Sequence, residues 1–155
     1  MKQTSARILF GASVACYIIS LFVPAFYDSK PQAWTGLVAL ISGMFGLFGG
    51  FYCWLANPLI IAVWIAALIK RPLLIAVGAP LACALCLSFL RHHSIMVDGS
   101  GTTAPIVALG PGFWLWFLAP LLMVVYAFLP PKREGRRDGI PNEVMDQTAA
   151  TRREG

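Results

Sequence analysis

The chain has 155 residues, of which 58% are hydrophobic and 12% are charged, and its formal net charge is +5. A water-soluble domain carries about a quarter of its residues charged, so the composition excludes an ordinary globule coated with polar side chains. The basic residues lie at the ends of apolar segments and form no stripe with interleaved aromatics, which excludes a nucleic-acid partner and favours membrane lipids.

The first apolar run covers residues 8–26 and follows Lys2 and Arg7. Its length suits a crossing of about 30 Å of hydrocarbon and exceeds the apolar core of a secretory signal. Val23-Pro24-Ala25 resembles a cleavage site, so a removable signal peptide is the alternative. We favour a first transmembrane helix that remains in the protein and begins in the cytoplasm.

The second apolar run, Trp34 to Ile69, is too long for one helix and barely long enough for two. In one reading it crosses the membrane twice, giving five spans in the whole chain. In the other, residues 34–50 form a re-entrant or interfacial helix at the outer face and residues 51–69 form a single span. Four spans place Lys70, Arg71 and the basic tail inside, whereas five export basic residues, so the positive-inside rule favours four.

The rest of the chain supplies two further spans and a tail. Residues 73–90 and 113–129 have the length of transmembrane helices, and Gly110-Pro111-Gly112 separates the last one from a connection over residues 91–111. Residues 130–155 are rich in charge and predict a disordered cytoplasmic tail. The expected fold is an all-α integral membrane helical bundle over residues 1–129, with four transmembrane helices plus one re-entrant or interfacial helix.

Five small residues recur every three or four positions in the second run and mark one helix face, namely Gly36, Ala39, Gly43, Gly46 and Gly50. In lipid such a face lets two backbones approach closely. We therefore predict packing against another helix of this chain. A homodimer through the same face and a groove for a lipid or small ligand are the alternatives.

Asn57 and Pro58 are the next unusual pair. Proline in a first turn with asparagine ahead of it is typical of a helix start. Within an apolar stretch the same pair kinks a helix, and the amide satisfies the freed backbone groups. Contact between Asn57 and a substrate is the sharper alternative.

Cys83 and Cys86 stand at i, i+3 on one helix face and are the candidate for thiol redox chemistry. His92 and His93 with Asp98 suggest a metal, but adjacent residues of an extended segment point in opposite directions. No metal site is therefore predicted. Acidic residues are missing from every predicted span, which disfavours ion-coupled transport, and no recognised catalytic motif occurs, so no catalytic residue or cofactor is predicted.

Three short segments carry a resemblance: Trp34-Thr35-Gly36, "WLANPL" at 54–59 and "GFWLWFLAP" at 112–120. They resemble small multi-pass inner-membrane proteins of bacteria, which implies that location with both termini cytoplasmic and implies no activity. The function we expect is that of a non-enzymatic accessory or assembly subunit acting through helix packing, with a membrane-protein partner or as a homodimer. A thiol-redox enzyme using Cys83 and Cys86 and a small uncoupled channel or permease near Asn57 are the alternatives.

Overall fold

The computed structural model describes residues 2–29, 33–47, 50–96 and 103–128. Within these ranges the chain forms five α-helices, two short 3₁₀ helices and four strands. In chain order they are α1 (Lys2–Phe22), β1 (Pro24–Asp28), β2 (Ala33–Thr35), α2 (Gly36–Gly46), the first 3₁₀ helix (Tyr52–Leu55), α3 (Ala56–Leu68), α4 (Pro72–Ser88), the second 3₁₀ helix (Phe89–Arg91), β3 (Ser94–Met96), β4 (Thr103–Leu109) and α5 (Pro111–Ala127). The predicted tail, 130–155, lies outside the described residues.

The helices α1, α3, α4 and α5 pack together, with α1 on α5, α3 on α4 and α4 on α5. A core layer nearer the sheet joins Tyr17, Ile60, Ala82 and Ala119. A second layer, farther from the sheet, is built from Val63, Ala66, Ala67, Ile75, Ala79 and Met123. Five of these ten residues are alanines, whose small side chains let the helix backbones approach closely.

A tight turn joins α3 to α4. The N–H of Lys70 donates to the carbonyl of Ala67 (3.2 Å) and the N–H of Arg71 to that of Ala66 (2.8 Å). These two bonds form the Schellman arrangement that ends many helices. Lys70 adopts φ 56°, the left-handed conformation that glycine usually occupies. Pro72 then begins α4 with its fixed φ.

The four strands form one antiparallel sheet in the order β2-β1-β4-β3. Aromatic residues in β1 and β-branched residues in β4 suit extended backbone. Phe26 of β1 is buried and stacks on Trp34 of β2, with ring centroids 5.7 Å apart. Because β1 directly follows α1 and β4 directly precedes α5, the sheet caps one end of the helices.

The junction at Val23-Pro24-Ala25 ties this sheet to the helices. The N–H of Gly36 donates to the Val23 carbonyl (3.2 Å), and the N–H of Gly110 donates to the Ala25 carbonyl (2.8 Å). A Cβ added at Gly110 would collide with the carbonyl oxygen of Pro24. The start of α5 can therefore reach β1 only where the side chain is absent.

The prediction of an all-α bundle with four transmembrane helices plus one re-entrant or interfacial helix is wrong. The chain contains a four-stranded sheet. Two helical windows, Thr4–Phe22 and Pro72–Arg91, are long and apolar enough to cross a membrane by length and composition, whereas the apolar helices Tyr52–Leu68 and Pro111–Ala127 are shorter. The strands are themselves apolar, so a hydropathy average merges them with neighbouring helices.

Two segments account for the difference. The predicted re-entrant or interfacial segment, 34–50, divides in the structure into the end of β2, α2 and a turn at Gly50. The predicted connection, 91–111, contains β3 and β4. Pairing with β1 gives the backbone groups of β4 their hydrogen-bond partners, and no local sequence period shows that long-range pairing.

The close approach at Gly110 predicts a measurable loss of stability in Gly110→Ala. Because the added methyl group meets backbone rather than a flexible side chain, we expect the free energy of unfolding to fall by about 1–3 kcal/mol. Gly11→Ala in α1 is the matched control, since a Cβ there meets none of the described atoms within 4 Å. That variant should gain about 0.5–1 kcal/mol. Denaturant titration measures both, and equal effects would contradict the packing at Gly110.

Candidate functional site

A partly open cavity of about 470 Å³ lies between α2, the sheet and the sheet-side ends of the other helices. The inner side of α2 contributes Gly36, Ala39, Gly43 and Gly46 to its lining. Phe26 of β1 and Phe113 of α5 line it from the sheet side, and Asn57 lines it from the start of α3. Its volume lies within the range of small-molecule sites.

Helix α2 is held over this cavity by contacts at its start and along its length. The Thr35 hydroxyl oxygen accepts a hydrogen bond from the N–H of Val38 (3.4 Å) and caps the helix start. Farther along, Trp54 Nε1 donates to the Leu40 carbonyl (2.7 Å). A Cβ at Gly43 would lie 2.7 Å from Trp54 Cδ1. The indole therefore lies directly against the helix backbone.

The predicted helix-packing residues differ in their surroundings: some lie against other parts of the chain, one lines the cavity and one lies in a turn. Gly36 lies against the backbone of Ser20, and Gly46 lies against Phe51, 3.2 Å from its Cβ if a Cβ were added. Ala39 lines the cavity. Gly50 is in the turn after α2 at φ 84°, and an added Cβ would meet none of the described atoms within 4 Å. Glycine there serves the backbone conformation rather than close packing.

Asn57 joins three helices. Its Oδ1 accepts from Tyr17 Oη of α1 (3.1 Å) and from Trp116 Nε1 of α5 (2.9 Å). Its Nδ2 donates to the carbonyl of Trp54 (3.0 Å). Indole nitrogen only donates and a carbonyl only accepts, so these partners fix which end of the amide is oxygen. Asn57 is 8% exposed and binds α1, α3 and α5 together.

The position of Asn57 differs from that of a helix cap. Leu55 is the N-cap residue of α3 and makes no side-chain capping bond. Asn57 lies within the first turn, followed by Pro58 in the same turn. Residues 52–68 form one continuous helical run, so Pro58 leaves the carbonyl of Trp54, four residues earlier, without the N–H that a helix would supply. Asn57 Nδ2 donates to that carbonyl, while Oδ1 bonds with side chains of α1 and α5.

Three polar residues of α1 form, together with Asn57, a group of buried polar side chains (the Asn57 cluster). They were not predicted as site residues. Ser13, Tyr17 and Ser20 are all buried. Ser13 Oγ donates to the Ala119 carbonyl (2.8 Å) and accepts from Trp64 Nε1 (3.0 Å). Their spacing of four and three residues places them on one helix face. That spacing of polar residues in an apolar run was the available signal.

The cysteines are not partners of Asn57, although Cys86 lies near Tyr17. All four are free thiols in the structure. Cys86 is fully buried, Cys83 is partly exposed, and Cys53 is buried in the cavity lining. A thiol must be reached by its partner to exchange, so Cys86 would react only after the helix packing opens.

The histidines reach no ligand set in the part of the chain that the structure describes. His92 stacks on Phe51, with ring centroids 4.4 Å apart. Asp98 lies outside the described residues. Within residues 2–29, 33–47, 50–96 and 103–128, no three His, Cys, Asp or Glu side chains form a group that could hold a metal ion.

The hydrogen bonds of Asn57 predict the result of a double-mutant cycle with Tyr17. Asn57→Leu removes the acceptor of Tyr17 and Trp116 and the donor to Trp54. Buried groups left without partners cost about 1–3 kcal/mol each, so we expect unfolding to become easier by about 2–5 kcal/mol. Tyr17→Phe alone should cost about 1 kcal/mol.

In the Asn57→Leu background, Tyr17→Phe should cost nothing or stabilise the protein, because it removes a hydroxyl that has already lost its acceptor. Denaturant titration of the four proteins measures the coupling. An equal cost of Tyr17→Phe in both backgrounds would contradict the bond between Tyr17 and Asn57.

Comparison with known proteins identifies no relative of this chain. No protein-family model, no curated protein and no solved structure matches the chain. What the cavity and the Asn57 cluster do is therefore inferred from their own contacts and chemistry.

Proposed function

We propose that the chain is an integral protein of the bacterial inner membrane that acts without catalysis, as an accessory or assembly subunit, through helix packing. The observation that carries the proposal is the exposure of its longest apolar helices. Only 17% of the window Thr4–Phe22 and 28% of the window Pro72–Arg91 is buried. The core helix of a water-soluble protein is mostly buried, whereas a helix in lipid is covered by hydrocarbon.

The distribution of polarity supports the same proposal. Large apolar side chains stand on the outer surface of the helices, among them Phe22, Leu68 and Leu73, each at least 70% exposed. Soluble monomers rarely expose contiguous apolar surface beyond a few hundred Å². Ser13 and Asn57, by contrast, are buried and hydrogen-bonded. Lipid favours apolar residues outside and paired polar groups inside.

The positions of the basic residues favour one orientation of the protein in the membrane. The end of the helices opposite the sheet carries Arg7, Lys70 and Arg71, all exposed. Lys70 adopts a left-handed backbone conformation that costs a lysine more free energy than a glycine. The position nevertheless carries a cationic side chain. The positive-inside rule supports a cytoplasmic location for this end, where α1 begins and α5 ends. The sheet then faces outward.

Helix α2 offers the surface for a partner. None of its residues is buried, and Leu37, Ile41 and Met44 are exposed along it. A helix of another membrane protein could cover this apolar face by van der Waals packing. The resemblance of the segments around Trp34, Trp54 and Trp116 to bacterial inner-membrane proteins is the reason for the choice of membrane.

Matched arginine substitutions test membrane integration. Val77 in α4 is 61% exposed and Val107 in β4 is 67% exposed. An arginine at the centre of a lipid-facing helix costs about 3 kcal/mol. We therefore expect Val77→Arg to reduce the amount of protein that resists carbonate extraction of cell membranes, and Val107→Arg to leave that amount unchanged.

Wild-type protein should remain in the carbonate-washed membrane pellet and enter solution only with detergent. Wild-type protein in the soluble fraction would contradict the proposal. Equal tolerance of both arginine variants, with unchanged folding, would contradict it as well.

A further inference from the structure

The cavity under α2 carries an inference beyond membrane integration. All 21 of the described residues that line it are uncharged. Burying a charged group against such a surface is strongly unfavourable. A molecule that fits there must therefore be uncharged and largely apolar.

The shape of that molecule follows from the aromatic side chains. Eight of these 21 described residues are aromatic, among them Phe26, Phe51 and Phe113. The three tryptophans of the lining direct their N–H groups to the protein: Trp34 to Asp28 (3.0 Å), Trp54 to Leu40 and Trp116 to Asn57. Their rings thus offer apolar surface to the cavity, and aromatic surface favours a planar ring through stacked or edge contacts.

The remaining hydrogen-bonding capacity sets the polar group of the ligand. The hydroxyls of Ser20 and Ser42 donate to the carbonyls of Tyr17 (2.6 Å) and Val38 (2.7 Å). Asn57 Oδ1 already accepts two bonds. Asn57 Nδ2 has two N–H groups, and in the described part of the chain only one is paired, with Trp54. Among the described lining residues, the side-chain N–H left for a ligand is therefore the second one of Asn57, which is more than nine-tenths buried.

We infer that the cavity binds an uncharged lipophilic ring compound bearing a carbonyl oxygen, which accepts a hydrogen bond from Asn57 Nδ2. The aromatic side chains hold the ring, and the small residues of α2 leave the space that it occupies. Ala39 is the central example, since it lines the cavity from a helix without buried residues. A larger side chain there fills the site without disturbing the core.

The test uses full-length protein in nonionic detergent, so its result is independent of where the protein resides in the cell. The probe is 2,3-dimethyl-1,4-naphthoquinone, a planar ring with two carbonyls whose substituted positions resist addition by thiols. Saturable quenching of tryptophan fluorescence reports binding, since Trp34, Trp54 and Trp116 line the cavity. We expect Ala39→Phe to weaken binding at least about tenfold, because the phenyl group takes the ligand's volume.

Val38→Phe is the matched control, because Val38 is the neighbouring residue of α2, is 46% exposed and does not line the cavity. It should bind within about twofold of wild type, as surface substitutions cost little. Displacement by 2,3-dimethylnaphthalene, which has no carbonyl, should require about fivefold more competitor, the worth of one hydrogen bond. Thermal unfolding verifies that each variant is folded.

Quenching that rises without saturation, or equal binding by Ala39→Phe and Val38→Phe, would overturn the assignment of the cavity as the site. Equal displacement by the carbonyl-free ring would overturn the role of Asn57. Displacement by methyl palmitate at the same concentration as the quinone would overturn the choice of a ring, since a flexible acyl chain would then fit equally well. These competitions use wild-type protein and do not depend on the folding of any variant.

Discussion

The side-chain amide of Asn57 is the interaction on which the arrangement of the helices depends. It stands at the start of α3 and bonds with Tyr17 of α1 and Trp116 of α5. In an apolar interior such bonds are directional where hydrophobic contact is not, and an unpaired partner is costly. Asn57 therefore fixes the relative height of three helices. The core layers lie on one side of it, and the cavity under α2 lies on the other.

The need to pair buried polar groups also explains where the polar and the apolar side chains lie. Ser13, Tyr17 and Asn57 turn inward and pair with each other's helices, while the outward surface of α1 and α4 is apolar. A water-soluble chain would carry mostly polar side chains on that outward surface. Lipid supplies no hydrophobic force between helices, so at the proposed membrane location close backbone packing and paired polar groups would stabilise the fold. A lipid environment would account for both the apolar outer surface and the internal hydrogen bonds.

Part of this structure could be predicted from the sequence. Pro72 and the Gly110-Pro111 pair mark the starts of α4 and α5 because proline suits a first helical turn. The sheet could not be predicted, since β4 pairs with a strand about 80 residues earlier in the chain and both are apolar. Asn57 stood out as a polar residue in an apolar run. Its partners, 40 and 59 residues away, follow only from the packing.

The most direct test of the central claim is the water accessibility of the apolar helix surface. In a variant without native cysteines, single cysteines replace Ile18, Leu81 and Val107, which are 50%, 51% and 67% exposed. Intact cells are treated with a membrane-impermeant maleimide. If lipid covers the helices, Val107→Cys on the outward sheet is labelled, and Ile18→Cys and Leu81→Cys are labelled only after the protein is denatured. Comparable labelling at all three positions would contradict a lipid-covered bundle.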